Sequence, residues 1–176
     1  MVRRRDGSSV TVRIGHGYDA HQLAASRKLV LGGVEVPHDK GLAGHSDGDA
    51  LTHAIIDALL GAAALGDVGQ HFPSSDTSLA GVSSLLLLGR VRGLLEQAGW
   101  RPGNVDATIV AERPRLAPYV QQMRERLAAM LGLELDAVSV KATTTDRMGF
   151  AGREEGIAGF AVATITSSPS AEGEAR

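Results

Sequence analysis

Apolar and polar positions trace out strands and helices in mixed order along this chain. Residues 11–17 alternate apolar with polar and predict a strand. Leu29-Val30-Leu31 and Val34-Glu35-Val36 flank Gly32-Gly33. That pattern predicts a tight hairpin, because glycine enters positive-φ turn positions at no steric cost, and Pro37 stops its second strand. Residues 46–65 predict the longest helix. Leu51, Ala54, Ile55, Ala58, Leu59 and Ala62 form one apolar stripe, Ser46 or Asp47 serves as cap, Asp49 falls in the first turn, and Gly66 suits the left-handed position past the end. Residues 79–98 predict a second helix ended by Gly99. Pro118 opens a third, with Val120, Met123, Leu127 and Met130 at helical spacing and Gly132 at its end. Residues 105–111, 137–142 and 157–165 read as further strands. The expected fold class is an α/β (α+β) sandwich, a mixed sheet with helices packed on one face.

The length of 176 residues fits one domain over residues 11–166, with polar, unstructured ends at 1–10 and 167–176. Hydrophobic residues make up 43% and aromatics 3%, so the core must be aliphatic. The net charge of −2 argues against a nucleic-acid partner, which needs phosphate neutralisation. The absence of cysteine removes disulfides, thiolate metal sites and cysteine nucleophiles. Apolar runs are broken well short of the ~20 residues a membrane span needs. No apolar segment follows Arg3-Arg4-Arg5, so no secretory signal is read and a bacterial cytoplasmic setting is expected.

The densest polar constellation is Gly15-His16-Gly17-Tyr18-Asp19-Ala20-His21. Asp19 and His21 are two apart, which in extended chain puts both side chains on one face with roughly 6–7 Å between Cα atoms. They can converge on one ion, or Asp19 can cap a turn in a polar loop. Asp49, His53 and Asp57 recur every four residues and share a helical stripe beside the apolar face. Either they form a solvated stripe with His53 bridging two acids, or they ligate something. Asp19, His21 and His53 together make a carboxylate and two imidazoles, three ligands that leave the open fourth position of a catalytic Zn²⁺ site. Asp57 then serves as the acceptor that fixes the His53 tautomer. Zn²⁺ suits this set best, with Mn²⁺, Co²⁺ and Fe²⁺ as other divalent choices.

Several segments also suit phosphate. His45-Ser46 precedes a helix N-terminus, and Gly66-Asp67-Val68-Gly69 is a glycine-flanked turn with backbone amides to offer. Thr143-Thr144-Thr145-Asp146 follows a strand, bringing three hydroxyls and an acid that could hold phosphate oxygens and Mg²⁺. Residues 149–156 form a Gly-rich turn carrying Arg153.

Taken together, GHGYDAH, AGHSDGDALTHAIIDALLGAAALGDVGQHFP, NVDATIVAERPRL and VKATTTDRMGFAGREEGIA closely resemble one family over residues 12–165. It is the 2-C-methyl-D-erythritol 2,4-cyclodiphosphate synthase family of non-mevalonate isoprenoid synthesis. The resemblance implies an α/β sandwich assembled as a homotrimer, with active sites at subunit interfaces using zinc plus Mg²⁺ or Mn²⁺. It also implies the reaction. The 2-phosphate of 4-diphosphocytidyl-2-C-methyl-D-erythritol 2-phosphate attacks the β-phosphorus of its own diphosphate, and cytidine monophosphate leaves.

Carried over residue by residue, the resemblance puts the zinc ligands on Asp19, His21 and His53, and the second-metal carboxylate on Asp146, where the family usually has Glu. Catalytic contacts to the reacting phosphates fall on His45 and Thr144. Substrate contacts fall on Ser46, on Asp67, Val68 and Gly69, and on Phe72, Ser74 and Asp76. The cytidine region matches Ala111, Pro114, Arg115 and Leu116, with Thr143 and Thr145 beside it; Arg115 stands where Lys is common. Phe150 and Arg153 match positions associated with ligand binding on the trimer axis, an isoprenoid diphosphate being the candidate. One departure is clear: the family often reads FPDTD where this chain reads Phe72-Pro73-Ser74-Ser75-Asp76. Two competing readings use the same residues, a metal-dependent phosphohydrolase and a non-catalytic binding module.

Overall fold

The computed structural model describes residues 2–3 and 9–167. In chain order its elements are β1 (Val2–Arg3), β2 (Ser9–Val10), β3 (Val12–Ala25), β4 (Leu29–Leu31), β5 (Val34–Val36), β6 (Lys40–Leu42), α1 (Ala50–Ala63), α2 (Val68–His71), α3 (Ser84–Gln97), β7 (Trp100–Val110), α4 (Val120–Leu131), β8 (Val138–Thr143), α5 (Gly149–Gly152) and β9 (Gly156–Ser167). β6, β3, β9, β7 and β8 lie in that order in a five-stranded mixed sheet. Among the described residues only β7 and β8 of this sheet run parallel. β4 and β5 form the expected hairpin, with Gly32 and Gly33 both left-handed at φ 55° and 72°. The expected loose ends fall largely outside the described residues; within them, β1 pairs antiparallel with β2, and Ser167 donates its amide to Thr11 O at 2.9 Å.

The period of two along β3 sets the layers. Gly15 and Gly17 face α1, which lies so close that a Cβ on either would stand 1.9 Å from a helix carbonyl, that of Ala58 or Ala54. This contact fixes how α1 runs along β3 and therefore what its next turn meets. α1 is apolar nearly all round rather than along one stripe. Leu51, Ile55, Ile56, Leu59 and Leu60 are all fully buried, because the sheet covers one side and α3 another. Each such side chain contributes about 1.5–3 kcal/mol. α3 and α4 add Leu88, Leu95, Met123 and Leu127, so the core is aliphatic as composition requires. The other sheet face exposes Ile14, Tyr18, Phe160 and Val162.

Several boundaries differ from expectation for identifiable reasons. α1 starts at Ala50, not at 46, and Asp49 is its cap, accepting from Thr52 N at 3.0 Å. The left-handed residue at its end is Ala64 (φ 58°), two positions before Gly66. The second helix begins only at Ser84, because left-handed Gly81 (φ 70°) separates it from a short 3-10 turn at Thr77–Leu79. Pro118 sits in a 3-10 turn, Ala117–Tyr119, that leads into α4. β3 runs on to Ala25, so Asp19 and His21 lie mid-strand rather than in a loop. β6, three residues including a glycine, carries too weak a pattern to be read. Among the described residues no helix is long and apolar enough to cross a membrane.

Candidate metal and phosphate site

Asp19 and His21 project from β3 on the face that meets α1, just past the glycines that let the helix approach. His53, one turn into that helix, comes down between them. Asp19 Oδ2 lies 2.8 Å from His21 Nε2 and 2.9 Å from His53 Nδ1, and the two nitrogens are 3.2 Å apart. Four-coordinate bonds of ~2.0–2.1 Å put ligand atoms roughly 3.3 Å from one another, so this half-buried set fits a divalent cation with little movement. The far side of the His21 ring is already committed, with Nδ1 donating to Ala43 O at 2.6 Å. Burial alone would raise the Asp19 carboxyl, but hydrogen bonds and positive charge from His21 and His53 outweigh it and hold the group well below the usual carboxylate range. The hydrogen bond to Asp19 raises His21 in turn, against the opposing effect of its burial.

The other two members of the α1 stripe do different work. Asp49, fully buried, accepts from Gly32 N (2.9 Å), Gly33 N (2.7 Å), Thr52 N (3.0 Å) and Thr52 Oγ1 (2.7 Å), tying the hairpin to the helix start. Asp57 is not the acceptor for His53. It takes Val68 N at 2.7 Å, because His53 turns Nδ1 toward Asp19 and its outer Nε2 toward Ser84 Oγ at 2.9 Å and Ser46 Oγ at 3.2 Å. Of the backbone amides proposed for phosphate, Val68 N is already taken by Asp57.

Above the cluster opens a cavity of about 280 Å³. His45, Ser46, Val68, Gly69, Phe72 and Ser74 line it together with Asp19, His21 and His53. His45 is oriented by Nε2, 2.8 Å from Asp76 O, which leaves Nδ1 for a ligand. Asp67 and Asp76 do not line it. Asp67 caps α2, and the Asp76 carboxylate is held low by the hydroxyl and amide of Ser78.

A second cavity, about 620 Å³, gathers Ala111, Pro114, Arg115, Leu116, Thr143 and Thr144, along with His38. Thr145 and Asp146 stand outside its lining; Asp146 is left-handed (φ 51°) and exposed, with Thr144 Oγ1 at 3.4 Å. The sheet register gives the separation of the two cavities. Asp19 pairs with Gly159, Gly159 with Ile109, and Ile109 with Ala142. Three strand spacings make about 14 Å across the sheet.

The sequence model of the YgbB family matches residues 12–166. The chain belongs to that family. A YgbB-family relative, the 2-C-methyl-D-erythritol 2,4-cyclodiphosphate synthase of Syntrophomonas wolfei, is 60% identical over 154 residues, which is 88% of this chain and 98% of the relative. The enzyme of the same name from Symbiobacterium thermophilum is 61% identical over 152 residues, 86% of this chain and 97% of its own. Among solved structures, IspF of Plasmodium falciparum in a CDP complex superposes with a TM-score of 0.79 at 29% identity, over 92% of this chain and 99% of that one. The bifunctional IspDF of Campylobacter jejuni gives a TM-score of 0.87 at 36% identity over 90% of this chain. This chain spans only 43% of that longer protein.

In this YgbB-family chain Phe150 and Arg153 belong to neither cavity. Phe150 borders a shallow depression with Ala20, Gln22 and Glu155, and Arg153 pairs with Glu155 through two contacts of 2.9 Å. Sequence reasoning missed Ser84, Ala43 and His38. Ala43 acts through its backbone carbonyl, which no side-chain pattern reveals, and Ser84 falls inside the helix expected over 79–98, where a serine carries no signal.

Proposed function

We infer that this chain is a cyclase that converts 4-diphosphocytidyl-2-C-methyl-D-erythritol 2-phosphate to 2-C-methyl-D-erythritol 2,4-cyclodiphosphate and cytidine monophosphate, in non-mevalonate isoprenoid precursor synthesis. The observation that carries this reading is the convergent Asp19–His21–His53 cluster at the floor of a cavity, in a chain of this family. A 2-phosphate oxygen forms a bond to the β-phosphorus, and the bond from that phosphorus to the oxygen shared with the α-phosphate breaks. The nucleophile arrives already ionised, so no serine or cysteine nucleophile is required. The obstacle is repulsion between anions, and the chain's work is positioning and charge stabilisation.

Asp19, His21 and His53 would hold a divalent cation, Zn²⁺ by donor type, which supplies Lewis-acid polarisation of a phosphoryl oxygen when bound. The Thr144 hydroxyl donates to a nonbridging oxygen, and the His45 ring sits beside the reacting phosphates. The Ser74 hydroxyl and the Gly69 amide hold the erythritol phosphate, with Phe72 and Val68 packed beside it. The second cavity, with Arg115 at its edge, takes the cytidine, in keeping with a structural relative solved in a CDP complex. Asp146 would carry Mg²⁺ or Mn²⁺ with the substrate diphosphate.

The proposal includes a homotrimer with shared sites, as the family resemblance implies. The three strand spacings, about 14 Å, between Asp19 and Ala142 in one chain support a site in which the second cavity of one copy lies beside the metal pocket of another. The exposed sheet face, where Tyr18 and Phe160 pack with ring centroids 4.8 Å apart, offers the surface for that association. Incubation with the diphosphocytidyl substrate, followed by phosphorus NMR, tests the function. Cytidine monophosphate and a cyclic diphosphate are the expected products. An open-chain product would mark a hydrolase, and unchanged substrate a binding module.

A further inference from the structure

The outer nitrogen of His53 is held by a side-chain arrangement whose proton positions can be deduced. Ser84, fully buried at the first position of α3, has one hydroxyl hydrogen. Its Oγ lies 2.5 Å from Asp47 Oδ1, and its backbone amide donates to Asp47 Oδ2 at 3.0 Å. A carboxylate only accepts, so the Ser84 hydrogen points to Asp47. At the 2.9 Å contact with His53 Nε2, Ser84 Oγ must then accept and the ring must donate. A proton fixed on Nε2 leaves the lone pair of a neutral ring on Nδ1, the nitrogen that faces Asp19 and His21. Ser46 Oγ, at 3.2 Å from Nε2 and 3.3 Å from Ser84 Oγ, is a longer and weaker member of the same group.

We propose that Ser84, oriented by Asp47, is a positioning residue that fixes the tautomer and aim of His53 for cation binding. The proposal rests on reading the Asp19–His21–His53 cluster as a cation site. His21 receives the same service from the Ala43 carbonyl, which substitution cannot remove. Ser84 is therefore the point at which this support can be switched off. The fold explains why Asp47 is free to act: Asp49 caps α1, and the cap residue of α3, Ser83, makes no side-chain cap bond. Asp47 reaches across from the loop before α1 and meets the start of α3 instead.

The test is Zn²⁺ affinity of the full chain, measured by competition with a chromogenic chelator. Ser84→Ala should weaken Zn²⁺ binding by about 10–100-fold, the range typical for lost outer partners of a ligating histidine. Ser84→Thr, which keeps the hydroxyl, should recover most of it. In nitrogen-edited NMR of the zinc-loaded chain, a slowly exchanging His53 Nε2–H resonance should be present and should vanish in Ser84→Ala. A purely structural role at the helix start would lower the melting temperature and leave both readouts unchanged, which overturns the proposal. If Ser84→Ala does not fold, the isosteric Asp47→Asn carries the test. Its amide can donate to Ser84 Oγ, releasing the hydroxyl hydrogen toward His53, so Zn²⁺ affinity should again fall; wild-type affinity there overturns the proposal too. A wild-type chain that binds no Zn²⁺ would instead overturn the cation-site reading beneath it.

Discussion

Asp19, His21 and His53 stand in the middle of a 14-residue strand and a 14-residue helix, whereas Thr144, Thr145 and Asp146 hang beyond the end of a six-residue strand. Partners surround the first group. Both histidines have their outer nitrogens engaged, and glycines beneath the helix set its distance from the strand. The second group is mostly exposed, and Asp146 is bonded to little but its neighbour Thr144. A rigid pocket can hold a cation before substrate arrives. A loose loop gains its geometry only when phosphate, cation and a second subunit meet there. The contrast predicts that damage to the pocket removes both metal and activity, while damage to the loop removes activity alone.

The largest effect tests the pocket. His53→Ala should lose its bound transition metal by elemental analysis and lose turnover by at least about 10³-fold. A metal-free variant with full activity would break the comparison at its stronger end. Asp146→Ala comes next. It should retain the pocket's metal and its melting temperature, because the residue is exposed and touches no core. Turnover should fall by about 10²-fold and the response to added Mg²⁺ should disappear. A variant that loses the pocket's metal as well would show that the two regions are coupled within one chain.

Each half of the pocket was legible because its information is local; joining His53 to Asp19, 34 residues away, rested on donor chemistry and the family resemblance. Asp19 and His21 are related by strand spacing, and His53 lies one turn into a helix whose apolar pattern is plain. The hairpin at Gly32-Gly33 and the left-handed end of α4 at Gly132 were readable for the same reason. What failed depended on contacts distant in sequence. Asp47 and Asp49 are both good caps, and the choice between them rests on the Gly32 and Gly33 amides and on Ser84, none of them in the same segment. Asp57 sat at the right spacing to serve His53, but the ring faces Ser84, 31 residues away, and Val68 claims Asp57. The separation of the two half-sites depends on strand order, on which spacing along the chain is silent.

The pocket's pH response sharpens the comparison more gently. The hydrogen bond that His21 donates to Asp19 raises His21 above the ordinary imidazole value. A ligand must be neutral, so metal affinity should fall as pH drops through that raised value, earlier than for an unperturbed histidine. Asp19 stays ionised throughout, since its carboxyl is held far lower. The metal-free chain should behave oppositely. A raised His21 contributes stability fully below the unfolded value and loses it as pH climbs through the folded one. Melting temperature of the stripped protein should therefore decline across that window while Zn²⁺ affinity increases. A loop residue such as Asp146 should leave both curves unchanged when substituted.

The smallest effect lies on the rim between the two regions. Ser74 is exposed at the mouth of the metal cavity, where the resemblance places an acid that contacts the erythritol hydroxyls. A serine hydroxyl donates and accepts singly, whereas a carboxylate accepts through two oxygens with charge-assisted strength. Ser74→Asp should therefore lower KM by about 2–10-fold, the equivalent of one added hydrogen bond, with kcat nearly unchanged because no reacting atom is touched. Zn²⁺ affinity should not move, because Ser74 contacts none of the three ligands. An unchanged KM would place the erythritol hydroxyls elsewhere in the cavity, and a changed metal affinity would extend the rigid pocket farther toward its rim than its hydrogen bonds indicate.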